Sequence, residues 1–338
     1  MRLLAVLASM LLLAACAPTL QRAGAPGIGF QGPRLEEHAV VSFDGARLGL
    51  TRWDVEGAEP WAVIVGVHGM NDYANAFHLA APYWASQGIA TYAYDQRGFG
   101  RSPNRGVWAD PELLDEDLRT VTGLVRHRYP NALIAVAGES LGGAVAIDAF
   151  ASDRPPAADR LVLLAPAVWG WSSQPLAYKT ALWLAAHTAP SKVFKPPGFV
   201  TARVSASDNR EELLAMGRDP LMIWGARTDT LYGLVSMMQR AWKKTGLLRA
   251  PTLYLYGAHD QIIPRKPTFE AADRLPAGDR TAYYARGWHL LLRDRQASTV
   301  WSDVVAFLKD PAAPLPSGAQ QIPGAPAELS TEPGAATR

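Results

Sequence analysis

Short, nearly unbroken apolar runs alternate with longer mixed stretches through the middle of the chain. Residues 40–43 and 47–53 read as two strands joined by an Asp44-Gly45 turn. Residues 61–67 are apolar almost throughout, the pattern of a strand covered on both faces. A helical stretch at 74–87, a strand at 89–94 and a charged helix near 110–128 follow. Next come a buried strand at 133–137, a small-residue helix at 141–150 and a strand at 161–164. Strand alternating with helix predicts an α/β fold with a mostly parallel sheet of about eight strands flanked by helices.

The alternation stops after the sixth strand. Residues 166–245 read as helices and loops, and the pattern then resumes with strands at 252–256 and 281–285 and helices at 266–274 and 295–308. The middle segment is therefore expected to be a helical cap inserted into one core domain, 36–165 and 246–309. It carries five of the eleven tryptophans and four of the seven methionines. Packing of the cap's own small core would account for these residues, and so would a surface that grips flexible hydrocarbon.

The two ends read differently. Residues 3–15 form an apolar run of 13 residues after Arg2, shorter than the roughly 20 that a spanning helix needs and suited to a secretory signal. Its ending, Leu13-Ala14-Ala15-Cys16, resembles the lipobox of bacterial lipoproteins. That resemblance implies a signal peptide of residues 1–15, acylation of Cys16 and a lipid-anchored protein in the bacterial cell envelope. Ala17, where an Asp would imply inner-membrane retention, favours the outer membrane. Residues 16–35 are expected to be a flexible tether rich in Gly, Pro and Ala. Residues 310–338, with six prolines and no aromatic residue, are expected to be a disordered tail.

Composition narrows the function. With 49% hydrophobic residues among 338, the chain can bury a sizeable core, and its net charge of +2 comes without long runs of one sign. No nucleic-acid partner is indicated. Cys16 is the only cysteine, so an intramolecular disulfide and a cysteine zinc site are excluded.

Gly138-Glu139-Ser140-Leu141-Gly142 is a G-x-S-x-G pentapeptide between a buried strand and a helix that opens Gly142-Gly143-Ala144. That context suits a nucleophile elbow, in which a strained turn projects Ser140 at the N-terminus of a helix. A serine hydroxyl needs a base that is itself held by an acid. His289, just after the last strand, is the favoured base, with His259 its competitor. Asp260, ending the strand at 252–256, is the favoured acid, with Asp229 and Asp95 as rivals. The order Ser140, Asp260, His289 is that of the α/β-hydrolases.

Together with His68-Gly69-Met70 and Asp95 to Ser102, these motifs resemble the α/β-hydrolase superfamily over about 40–309, in its monoacylglycerol lipase and lysophospholipase-like branch. The resemblance implies that the backbone N–H groups of Met70 and Leu141 form an oxyanion hole and that His68 shapes the loop. It implies a serine ester hydrolase, with neither cofactor nor metal, acting on a monoacylglycerol or lysophospholipid-like substrate. Asp95-Gln96-Arg97-Gly98 departs from the His-Asp version of the animal monoacylglycerol lipases. A peptidase of the proline aminopeptidase branch, a haloperoxidase-like activity and a non-catalytic binding module are the competing readings.

Overall fold

The computed structural model describes residues 17–196, 198 and 203–326. The signal segment, Cys16 and the last twelve residues lie outside the described residues. The central sheet has nine strands: β1 (Arg34–Leu35), β2 (Ala39–Val41), β3 (Arg47–Trp53), β4 (Ala62–Val67), β5 (Ile89–Tyr94), β6 (Leu133–Glu139), β7 (Arg160–Leu164), then, after a cap that holds the short pair β8 (Val193–Phe194) and β9 (Ala226–Arg227), β10 (Thr252–Gly257) and β11 (Arg280–Tyr284). Their order is β1-β2-β3-β5-β4-β6-β7-β10-β11. The first three are antiparallel, and every pair from β5 to β11 is parallel. All six residues of β4 are buried, as befits a strand with helices over both faces.

Eight α-helices are described: α1 (Ala80–Ser86), α2 (Pro111–Arg128), α3 (Leu141–Phe150), α4 (Leu176–Thr188), α5 (Arg210–Arg218), α6 (Thr228–Lys244), α7 (Arg265–Ala272) and α8 (Ala297–Lys309). From β4 the chain moves to β5 on one side and later to β6 on the other. Right-handed crossovers that run in opposite directions put α1 on one face and α2 and α3 on the other. The crevice at such a reversal, beyond the carboxyl ends of the strands, is where α/β sheets bind ligands. The His68 loop leaves β4 there, and Ser140 leaves β6 beside it.

The cap supplies α4, α5 and α6 between β7 and β10. It is stitched to the loops at that crevice. Ile223 N donates to Asn71 O, and Leu290 N donates to Ala206 O. Asn209 Nδ2 donates to Arg293 O at 3.0 Å.

Both ends depart from the sequence expectation where they are described. Within the segment expected to be a flexible tether, Gln21 N donates to Trp108 O and Gln21 O accepts from Asp110 N. Thr19 N also donates to Asp229 Oδ2 at 3.2 Å. Backbone groups that no composition rule assigns to a partner are satisfied here across the fold. The tail is docked as far as residue 326. Leu315 and Ile322 are buried, Tyr283 N donates to Gln320 O, and Ile322 N donates to Thr281 Oγ1 at 2.9 Å. This segment covers the edge of β11, which would otherwise expose unpaired backbone groups. Prolines fit such a strap because they bring no N–H that needs a partner.

Ile322→Ala should lower the unfolding free energy by about 2 kcal/mol, the low end for a buried isoleucine. Denaturant titration measures it, and a change under about 0.5 kcal/mol would mean that the strap contributes nothing.

Candidate active site

Ser140 sits between β6 and α3 with φ 52° and ψ −113°, a conformation that costs a non-glycine residue about 1–3 kcal/mol. Close packing enforces it. A Cβ on Gly138 would lie 2.6 Å from Gly142 O, and one on Gly142 would collide with the Val67 carbonyl. The turn is locked by backbone bonds: Ser140 N donates to Leu164 O, while Ser140 O accepts from Ala144 N and Ala167 N. Ser140 keeps 8% of its surface exposed.

His289 Nδ1 lies 2.8 Å from Asp260 Oδ2. The carboxylate can only accept, so the proton is on Nδ1 and Nε2 is left with its lone pair. Asp260 Oδ1 accepts from Ile262 N at 2.7 Å and Ile263 N at 2.9 Å, and its side chain is fully buried. Burial disfavours the imidazolium of His289. The charge and hydrogen bond of Asp260, with Glu139 adding, outweigh burial and hold the pKa above the ordinary value, with Arg293 opposing. The imidazole is thus within electrostatic reach of the elbow that carries Ser140.

The rivals lie elsewhere. His259 is exposed and stacks on Trp288 with centroids 5.4 Å apart. Asp229 is held by Arg227 at 2.7 and 2.9 Å at the start of α6. Asp95 accepts from Ala74 N and from Arg101 N, both at 2.8 Å, and so braces the loops after β4 and β5.

The His68-Gly69-Met70 loop lies against the elbow. A Cβ on Gly69 would be 3.2 Å from Ser140 Cβ. His68 is fully buried; its Nε2 accepts from Gln96 N at 2.9 Å, and its Nδ1 donates to Gly69 O at 2.7 Å. Desolvation lowers its pKa, which suits this neutral tautomer. Met70 N and Leu141 N have no acceptor among the described residues. Two unengaged donors beside a serine can receive a developing oxyanion.

Sequence reasoning missed the group under the site. Arg293 Nη2 donates to Asp72 Oδ2 and to Glu139 Oε1, both at 2.7 Å. Its Nη1 lies 3.7 Å from Met216 Sδ on α5 and 3.9 Å from Glu212 Oε1. One buried guanidinium thus ties the elbow, the Met70 loop, the His289 loop and the cap together. Burial disfavours its charge, yet Asp72 and Glu139 hold the pKa above the ordinary arginine value. The available signal was a charge in an apolar setting: Arg293 ends a Leu290-Leu291-Leu292 run, and Glu139 ends a buried strand. Asp294 adds a further hold on the His289 loop, accepting from Trp288 N at 2.6 Å and Ser207 Oγ at 2.7 Å. Burial pushes its carboxyl up to about 7.

The chain is similar to known hydrolases. The chain is 25% identical over 287 residues to the monoacylglycerol lipase of Mycolicibacterium smegmatis, covering 80% of this chain and 96% of that one. It is 27% identical over 265 residues to the monoglyceride lipase of Rattus norvegicus, covering 75% and 84%. A soluble variant of the monoglyceride lipase of Saccharomyces cerevisiae, solved with a substrate analogue, superposes with a TM-score of 0.66 at 16% identity, covering 85% of this chain and 98% of that one. Residues 58–296, which include Ser140, Asp260 and His289, match the hydrolase family described as serine aminopeptidase, S33. The chain belongs to that family of α/β-hydrolases.

Proposed function

We propose that this chain is a membrane-anchored serine ester hydrolase that acts through an acyl-enzyme on a monoacylglycerol or lysophospholipid-like ester. The observation that carries the reading is the His289–Asp260 contact at 2.8 Å, together with a serine held at φ 52° whose neighbour Glu139 acts electrostatically on His289. Ser140 Oγ attacks the ester carbonyl, and His289 Nε2 takes its proton. Asp260 keeps the proton on Nδ1 and stabilises the imidazolium. The N–H groups of Met70 and Leu141 receive the oxyanion. His289 then protonates the leaving alcohol, and water activated by the same imidazole releases the acid.

Three observations support the substrate class. The two relatives named from their sequences are lipases of monoacylglycerols. The cap is rich in Trp and Met. The Cys16 motif would hold the enzyme at a membrane, where monoacyl lipids partition. An aminopeptidase would need a carboxylate free to hold an ammonium group. The carboxylates that line the cleft between α5 and the Met70 loop are already engaged: Asp72 with Arg293, Asp219 with Tyr73 Oη at 2.6 Å, and Glu212 with His78 at 3.5 Å.

An ester panel with matched variants tests the reading. Ser140→Ala should lose roughly 10⁴-fold or more in kcat, and a fluorophosphonate should label only the parent chain. Asp260→Asn should lose roughly 10³–10⁴-fold because the tautomer is no longer controlled, while Asp229→Asn stays within an order of magnitude of the parent. A more damaging Asp229→Asn would move the acid to the cap.

The pH profile follows from the raised pKa of His289. The base must be neutral, so kcat/KM should rise with pH through a midpoint above the ordinary histidine value of about 6.5. The residual activity of Asp260→Asn should rise at lower pH, because the group that stabilises the imidazolium is gone. A parent limb centred below about 6 would mean that burial overrides Asp260.

For acyl length, each methylene buried in an apolar pocket contributes up to about 0.8 kcal/mol, or nearly fourfold. kcat/KM should rise from acetyl to at least octanoyl esters, measured below the micelle threshold. A maximum at acetyl or butyryl would instead assign a small-ester carboxylesterase.

A further inference from the structure

A groove lies between the root of the cap and α7. It is lined by the segment before α4, by the end of α6 and by the start of α7. Its volume is about 760 Å³, within the range of small-molecule sites. Ser140, Asp260 and His289 do not line it.

Two polar groups of the lining have no partner in the fold. Gln174 is only 5% exposed. Its Nε2 donates to Trp169 O at 3.0 Å. That bond fixes the amide and leaves Oε1, which can only accept, without a donor among the described residues. Trp242 Nε1, which can only donate, is buried without an acceptor among them. The Trp242 ring is held in place, because Arg274 Cζ lies 3.6 Å from its centroid and Arg274 Nε donates to Glu270 O at 2.9 Å. Folded proteins leave few buried polar atoms unmet, since each has given up its hydration. A fixed acceptor and a fixed donor in one groove are the convergent polar groups of a ligand site.

The chemistry of the lining narrows the occupant. Lys266 and Glu270 stand one turn apart on α7, so the groove favours neither sign of charge. A phosphate would face Glu270 and Gln174 Oε1, and an ammonium group would face Lys266 and Trp242 Nε1. A hydrocarbon chain would leave both buried groups unmet. A proline-rich peptide offers carbonyls to Trp242 but few N–H groups to Gln174. A hydroxyl both donates and accepts. The rest of the lining is apolar, from Trp169, Pro175, Pro264 and Pro267, and the electron-rich face of an indole attracts polarised C–H groups. A sugar ring carries hydroxyls on its rim and C–H groups on its faces.

We propose that this groove binds a carbohydrate. Gln174 Oε1 accepts from one hydroxyl, Trp242 Nε1 donates to another, and Trp169 with the prolines covers the C–H faces. The site is next to the catalytic groups and distinct from them. Trp169 comes two residues after Ala167, whose N donates to Ser140 O. Pro264 follows Ile263, whose N donates to Asp260 Oδ1. The inference goes beyond the ester hydrolase reading and does not depend on it.

Cellobiose, maltose and N,N′-diacetylchitobiose are titrated into the full chain by isothermal calorimetry. At least one should bind with a Kd of roughly 1 mM or tighter. Trp242→Phe keeps a ring beside Arg274 and deletes the donor. Trp169→Leu keeps an apolar side chain and deletes the aromatic face. Each should weaken that sugar roughly fivefold, the size of one net hydrogen bond or one aromatic contact. Trp242→Phe should unfold at the parent Tm or above it, because an unmet buried donor is gone. Trp183→Phe, on α4 and outside the groove, should leave sugar affinity unchanged. Failure of all three sugars to bind at roughly ten times that concentration would overturn the proposal. Sugar affinity unchanged in both Trp242→Phe and Trp169→Leu would overturn it by placing the sugar elsewhere. A proline-rich peptide that binds where no sugar does would overturn it in favour of a peptide groove. None of these readouts uses ester hydrolysis, so failure of the carbohydrate site and failure of the hydrolase reading are told apart.

Discussion

The turn at Ser140 is the constraint on which the site depends. The serine backbone occupies a region that L residues avoid, and glycines on both sides let β6 and α3 approach the carbonyl of Val67 at the end of β4. The cost is met by three backbone hydrogen bonds to β7, α3 and the segment after β7. The same geometry leaves Leu141 N, the first residue of α3, without an intrahelical acceptor. The strain, the position of the serine at the start of α3 and one of the two free donors are thus consequences of a single close approach between strand and helix.

A second constraint lies directly beneath. Arg293 is buried with Asp72 and Glu139 at 2.7 Å each. Taking these charges out of water costs several kcal/mol per ion, and their pairing only offsets that cost. The group is better understood as a fixing device. Its three members stand next to the loops of Met70, Ser140 and His289, and its guanidinium reaches Met216 and Glu212 of α5. A buried ion group tolerates few arrangements, because moving one member leaves the others unpaired. Relative motion of the loops is therefore restricted where a shift of about 1 Å would matter to chemistry. Glu139 also contributes to the field at His289, so the device that fixes position also adjusts the base.

The cap is held from both sides. Its inner side bonds to the loops after β4 and β11 through Ile223, Ala206 and Asn209. Near the start of α6, Asp229 joins it to the N-terminal lead. Its outer side remains apolar and basic. One insertion thus carries both the contacts to the loops at the site and an exposed apolar segment.

Much of this was legible in the sequence because it is local. Strands β4 to β7, β10 and β11 appear as apolar runs, since a strand covered on both faces must be apolar throughout. Ser140 is marked by glycines at fixed offsets, and Asp260 and His289 by their positions just after strands. The docked ends and the Arg293 group were not legible. Arg293 meets partners 154 and 221 residues away, and Ile322 meets one 41 residues away. Composition marked the Gly- and Pro-rich ends as unable to fold alone, which holds for an isolated segment but not beside a sheet edge with unpaired groups. Local pattern determined which strands, which helices and which serine. Only the tertiary structure decided which buried charges face each other and where the ends lie, because those choices depend on groups that the chain brings together after it has folded.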